Sequence, residues 1–135
     1  MTENRAGEFA GPMPFADLIG IEIISVAADR VVAHLDWAPE RCTAGGTLHG
    51  GAIMSLADTA GGLSAFVNLP DGSTGTTTVS SSTQFTRGLR QGRATATARP
   101  LHVGRTTIVV ETNVRDDDDN RLLARVTQTQ AVLTG

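Results

Sequence analysis

The 135-residue chain has no lysine; all eleven of its basic residues are arginine. Arginine offers paired donors to phosphate groups, although genome composition alone would leave the same bias. There is one cysteine, Cys42, which excludes an internal disulfide and fits a reducing cytoplasm. No base can be assigned to Cys42, so it reads as a structural residue rather than a nucleophile. Net charge is −3, without the basic stripe of a nucleic-acid binder. No run of about 18 apolar residues exists, so no membrane span is expected. The N-terminus MTENRAGEF lacks an apolar signal core. There is no G-x-S-x-G elbow and no phosphate-binding G-x-x-x-x-G-K-[ST] loop. His and Cys lack zinc spacing. The four aspartates at 116–119 lack the calcium-loop spacing and its glycine, so they read as a solvated turn and no metal is expected.

What the chain does have is one organising stretch, Gly45 to Phe66, reading GGTLHGGAIMSLADTAGGLSAF. A glycine-rich turn runs into an apolar helix that starts near Gly50 and ends near Asn68. The first turn of such a helix leaves backbone N–H groups unpaired and carries a partial positive charge. Together these favour an anionic or strongly polarised oxygen. Asp58 is the one acid in the apolar run. Ile53, Leu56, Ala57, Ala60, Leu63 and Val67 form the main apolar stripe, and Asp58 borders it. Ala52, Gly61, Gly62 and Ala65 are small enough to leave room for a ligand or a second helix. In such surroundings the carboxylate is expected to be desolvated; the alternative is a solvated position on an amphipathic helix. Asp58 lies about 12 Å along the axis from Gly50. If the two act together, either the substrate spans them or a second subunit joins them.

The remaining segments predict one domain over residues 13–135, behind a loose arm over residues 1–12. A chain of this size often gains from oligomerising. Pro14 to Ile19 predicts a short helix stopped by Gly20. Ile21 to Ala27 and Arg30 to Trp37 predict a β-hairpin, with Val31, Ala33 and Leu35 on one face and His34, an ordinary strand residue, on the other. After Ser73 come four strands: Thr74 to Thr86, Arg93 onward with a bulge or edge at Pro100, Thr106 to Arg115, and Arg121 to Leu133. The order β-β-α-β-β-β-β, one long helix beside an antiparallel sheet, is α+β.

His49, Gly50 and Gly51, with Asp58 nine residues after the His, resemble the hotdog-fold thioesterase superfamily, in particular its PaaI-like acyl-CoA thioesterases. The resemblance covers nearly the whole chain. It implies a sheet wrapped around the long helix, a homodimer with a continuous sheet, often paired into a tetramer, and an active site between subunits. In that site the Gly50 N–H polarises the thioester carbonyl, and Asp58 of the neighbour acts as nucleophile or as general base. His49 reads either as a general base or as the residue that holds the turn. Thr78 matches a hydroxyl position near the attacking water. Gly51, Arg87 and the turn Gly104, Arg105, Thr106 match places that bind substrate or the CoA phosphates; the arginines read equally well as solvated surface. Family members often carry Asn or Gln six residues before the His, where this chain has Thr43. The implied reaction is hydrolysis of an aryl- or fatty acyl-CoA, with CoA as part of the substrate and no separate cofactor. A non-catalytic acyl-CoA-binding module is the alternative that Thr43 motivates. A hydratase on a similar fold has no matching motif.

Overall fold

The computed structural model describes residues 4–9 and 13–135; residues 1–3 and 10–12 of the expected arm lie outside the described residues. Ala6–Phe9 forms a short 3-10 turn. It is tied to the first strand through Asn4 Oδ1, which accepts from Val26 N at 2.9 Å. Helix α1 (Pro14–Ile19) opens on a proline, which at this position gives up an N–H that would have had no helical partner. Gly20 closes it at φ 88°, in the left-handed region.

The predicted hairpin is β1 (Glu22–Val26) with β2 (Val31–Asp36), paired from Glu22↔His34 to Val26↔Val31. Val31, Ala33 and Leu35 are buried, while Asp36 is exposed on the other face. The long helix α2 (Gly50–Val67) follows, then β3 (Gly75–Phe85), β4 (Arg93–Val103), β5 (Thr107–Asp116) and β6 (Leu122–Leu133). All six strands join one antiparallel sheet in the order β1-β2-β4-β5-β6-β3. The expected irregularity at Pro100 is a register shift between Pro100 and His102.

Alternation along the strands decides which face meets the helix. Ala94, Ala96 and Ala98 of β4 and Ile108, Val110, Thr112 and Val114 of β5 are all buried. The three alanines leave room for a helix to lie close, and α2 packs most extensively on β4 and next on β5. Its stripe of Ile53, Leu56, Ala57, Ala60 and Leu63 is buried against them. Each fully buried Leu or Ile of that seam contributes about 1.5–3 kcal/mol.

That placement has a consequence at the far side of the sheet. Among the described residues β3 pairs with β6 alone, so one of its edges is open. α2 leaves most of β3 uncovered, and from Thr78 to Ser82 every residue is exposed. A register shift between Thr78 and Ser80 marks a bulge in this edge strand. Among the described residues no helix is long and apolar enough to cross a membrane.

Candidate active site

The site begins where the glycine turn becomes α2. His49 is the N-cap: its backbone is extended (φ −60°, ψ 135°), and its Nδ1 accepts from Gly51 N at 2.7 Å. With Nδ1 as acceptor, the neutral ring carries its proton on Nε2. A Cβ at position 51 would stand 2.9 Å from His49 Nδ1, so the cap needs glycine there. The loop ahead is held by backbone bonds: Thr43 N to Thr47 O, Leu48 N to Leu89 O and His49 N to Arg41 O, all at 2.8–2.9 Å. The Gly51 N–H is taken by the cap, and those of Ala52 and Ile53 reach His49 O. The Gly50 N–H is left without a protein acceptor among the described residues. Of the two glycines beside His49, then, Gly50 has the amide free for an incoming oxygen.

This geometry separates the two roles open to His49. His49→Ala is expected to cost about 1 kcal/mol of stability as a lost cap, measured by denaturant unfolding. His49→Asn, whose side-chain oxygen can accept the same N–H, is expected to recover most of that loss and to keep turnover. Loss of turnover in a stable His49→Asn would instead assign proton transfer to the ring.

Asp58 lies two turns further along α2, and its side chain meets β3 and β6. Gln128 Nε2 donates to Asp58 Oδ1 at 3.3 Å. The Thr78 hydroxyl approaches the same oxygen at 3.5 Å, the outer limit of a hydrogen bond. Thr78 in turn accepts from Gln130 Nε2 at 2.5 Å, and Gln130 Oε1 accepts from the Thr76 hydroxyl at 3.0 Å. Because Thr78 accepts from an amide, its own proton is free to point at Asp58. Oδ2 of Asp58 has no protein donor among the described residues.

The two glutamines are 0% and 1% exposed, and nothing in the motif reading singled them out. The signal was present in the alternation of β6: Ala124, Val126, Gln128 and Gln130 share one face, and a glutamine on a core face is an exception that needs a partner. Two further expectations change. Asp58 is exposed in the single chain rather than desolvated, because α2 covers β4 and β5 and leaves the inner face of β3 open. Of the small residues on α2, Gly61 and Ala65 are buried, and Gly61 is filled by Gln128 rather than by space for a ligand. Gly62 lines the cleft at Asp58, and Ala52 the one at His49.

Those two clefts are distinct. One, of about 640 Å³, holds Asp58 and Thr78 with an apolar wall that includes Leu63 and Phe66. The other, of about 740 Å³, holds His49 and Gly51 with Leu18, Arg41 and Cys42. Phe15, 59% exposed on α1, borders both. Thr43 is exposed in the loop leading to His49. Arg87 follows β3 and lines a polar groove with Arg90 and the acidic tip at Asp116, Asp118 and Asp119. Its N–H bonds Leu123 O at one end of β6, whereas Thr106 O accepts from Val132 N at the other. Those positions on β6 are about 30 Å apart. Within one chain, therefore, Asp58 and Thr78 come together, as do His49, Gly50 and Gly51. Arg87 and the Gly104, Arg105, Thr106 turn do not.

Residues 45–123 match the family model described as the thioesterase superfamily. ComA2 of Bacillus subtilis, a candidate esterase, is 34% identical over 118 residues, 87% of this chain and 92% of that protein. A thioesterase crystal structure from Haemophilus influenzae is similar with a TM-score of 0.84 at 26% identity, covering 96% of this chain and 87% of that one. The PaaI protein of the Escherichia coli phenylacetic acid degradation operon also gives a TM-score of 0.84, covering 96% of this chain and 90% of that one. At 23% identity that likeness speaks for the fold alone.

Proposed function

Because the chain belongs to the thioesterase superfamily and has its hotdog fold, we propose that this thioester hydrolase cleaves an acyl-CoA to a free acid and CoA at a site completed by a second copy of the chain. The observation that carries the reading is the division of the site. Asp58 and the Gly50 amide sit on one helix about 12 Å apart, and their neighbourhoods open into different clefts.

The open edge of β3 supports the way the halves meet. A two-fold axis across that edge sets two β3 strands antiparallel. Thr78, beside Asp58, lies toward the start of β3, while Phe85, at its end, has its ring 3.2 Å from where a Gly50 Cβ would be. Antiparallel pairing therefore brings one copy's Asp58 toward the other's Gly50. It also brings the Arg105 end of one copy toward the Arg87 end of the other, so both arginines come within reach of the phosphates of one CoA. A tetramer built from two such dimers belongs to the same proposal, as does action in the cytoplasm.

In this arrangement Asp58 takes a proton from a water held beside the Thr78 hydroxyl. The water oxygen attacks the thioester carbonyl carbon, and the carbonyl electrons move to an oxygen facing the Gly50 N–H and the positive end of α2. Collapse breaks the carbon–sulfur bond, and the CoA thiolate takes the proton from Asp58. Water is the one co-reactant, and no cofactor is needed. Such an oxyanion donor is worth roughly 3–4 kcal/mol and a general base roughly 10²–10⁴-fold.

Thiol release from a panel of aryl- and alkyl-CoA esters tests the reading. At least one ester is expected to be hydrolysed, and the best of them places the acyl class. The second reading, a binding module, is favoured by one observation: Thr43 supplies no amide where family members often have one. Tight ester binding with no thiol release across the panel would establish it.

A further inference from the structure

Two residues of this chain are each unfavourable where they stand, and one contact accounts for both. Gly61 lies in the interior of α2, where glycine is a poor helix former. Gln128 lies on the core face of β6, fully buried, in line with Ala124 and Val126. Its Oε1 has no hydrogen-bond partner among the described residues, a condition that a leucine or methionine there would remove. The two meet: a Cβ at position 61 would overlap Gln128 Oε1 and stand 2.5 Å from its Cδ. Among the described residues, the one hydrogen bond of the Gln128 side-chain amide goes to Asp58.

We infer that Gln128 is a positioning residue for Asp58, and that Gly61 is the gap in α2 through which it reaches; this rests on the reading of Asp58 given above. Neighbours on the helix do not orient the carboxylate. Ser55 and Thr59 spend their hydroxyls on the Gly51 and Ser55 carbonyls, and Met54 and Gly62 offer no donor. Orientation comes from across the sheet. Thr78 is exposed and only at 3.5 Å, whereas Gln128 is fixed by burial. A carboxylate on an open rim can swing through several rotamers. A buried amide on one of its oxygens selects the rotamer in which the other faces the cleft.

Gln128→Met keeps the volume and removes the donor. Its kcat is expected to fall roughly tenfold or more, with KM unchanged and Tm equal to or above wild type. A lower Tm with wild-type kcat would mean a purely structural role and would overturn the inference. Gly61→Ala is expected to give the same loss, since its methyl displaces the amide. In a Gln128→Ala background, Gly61→Ala is expected to add nothing; additive losses would show that the two do not act through one contact. Thr112→Val, which removes another unpartnered polar atom of the same core that makes no hydrogen bond to Asp58, is expected to leave kcat unchanged. Asp58→Asn belongs in the same assay. If it retains turnover, the reading of Asp58 fails and this one with it. If it is inactive while Gln128→Met turns over normally, only the role of Gln128 fails.

Discussion

Asp58→Asn is expected to lower kcat by roughly 10²–10⁴-fold while the chain still folds, assembles and binds its ester. The substitution is nearly isosteric. The asparagine oxygen can still accept from Gln128 Nε2 and from Thr78, the two groups that meet Asp58 Oδ1. What disappears is the charge and the capacity to take a proton, so the effect should fall on kcat and leave KM near its wild-type value. Wild-type thiol release in a stable Asp58→Asn would end the assignment. A single turnover of the wild-type enzyme in ¹⁸O water separates the two roles open to the carboxylate. As general base, Asp58 stays unlabelled after a single turnover in ¹⁸O water. As nucleophile it passes through a mixed anhydride, and attack of water at the aspartyl carbonyl leaves the label in its side chain.

The second large effect concerns a single hydrogen atom. Gly50→Pro removes the backbone N–H and little else, because position 50 is the first residue of α2, where proline is accommodated. The preceding residue must be extended for this to work, and His49 is, at φ −60° and ψ 135°. A side chain at 50 also presses on the Phe85 ring. That ring is half exposed and can turn, and Gly50→Ala serves as control because it brings the same Cβ and retains the N–H. Gly50→Pro is expected to lose roughly 10²–10³-fold in kcat, and Gly50→Ala to lose little. Equal activity in the two variants would remove the amide from the mechanism.

Mixing the two inactive proteins then asks where the site lies. In a dimer of one Asp58→Asn and one Gly50→Pro chain, both defects fall in one shared site and the other is intact. Random exchange makes half the dimers mixed, so about a quarter of the wild-type activity should return. If each chain holds a whole site, mixing restores nothing.

The parts of this molecule governed by local rules were legible in the sequence. The helix from Gly50, its apolar stripe, the hairpin after Gly20 and the irregularity at Pro100 follow from periodicity, capping and the missing proline N–H. That His49 bonds the backbone of its own turn followed from its place among glycines. What escaped depended on where elements lie relative to one another. That α2 sits over the alanines of β4, leaving most of β3 uncovered and Asp58 exposed, is a matter of packing that no local window contains. Gln128 and Gln130 escaped for a different reason. They were visible as polar residues on the inner face of β6, but only the position of Asp58, seventy residues earlier, gives them a purpose.

The placement of β3 also fixes when this centre comes into being. β3 is made before β4, β5 and β6, yet its only sheet partner among the described residues is β6, in a register running from Gly75↔Leu133 to Phe85↔Ala124. Such distant pairing closes late, because a long loop must be ordered before any of the pairing is gained. A growing chain thus carries α2 and an unpaired β3 until β6 has been made. Asp58 meets Gln128, and Thr78 meets Gln130, only when the final strand docks. On the reading proposed above, a chain that lacks β6 therefore keeps the acid of α2 but has neither of the glutamines that aim it.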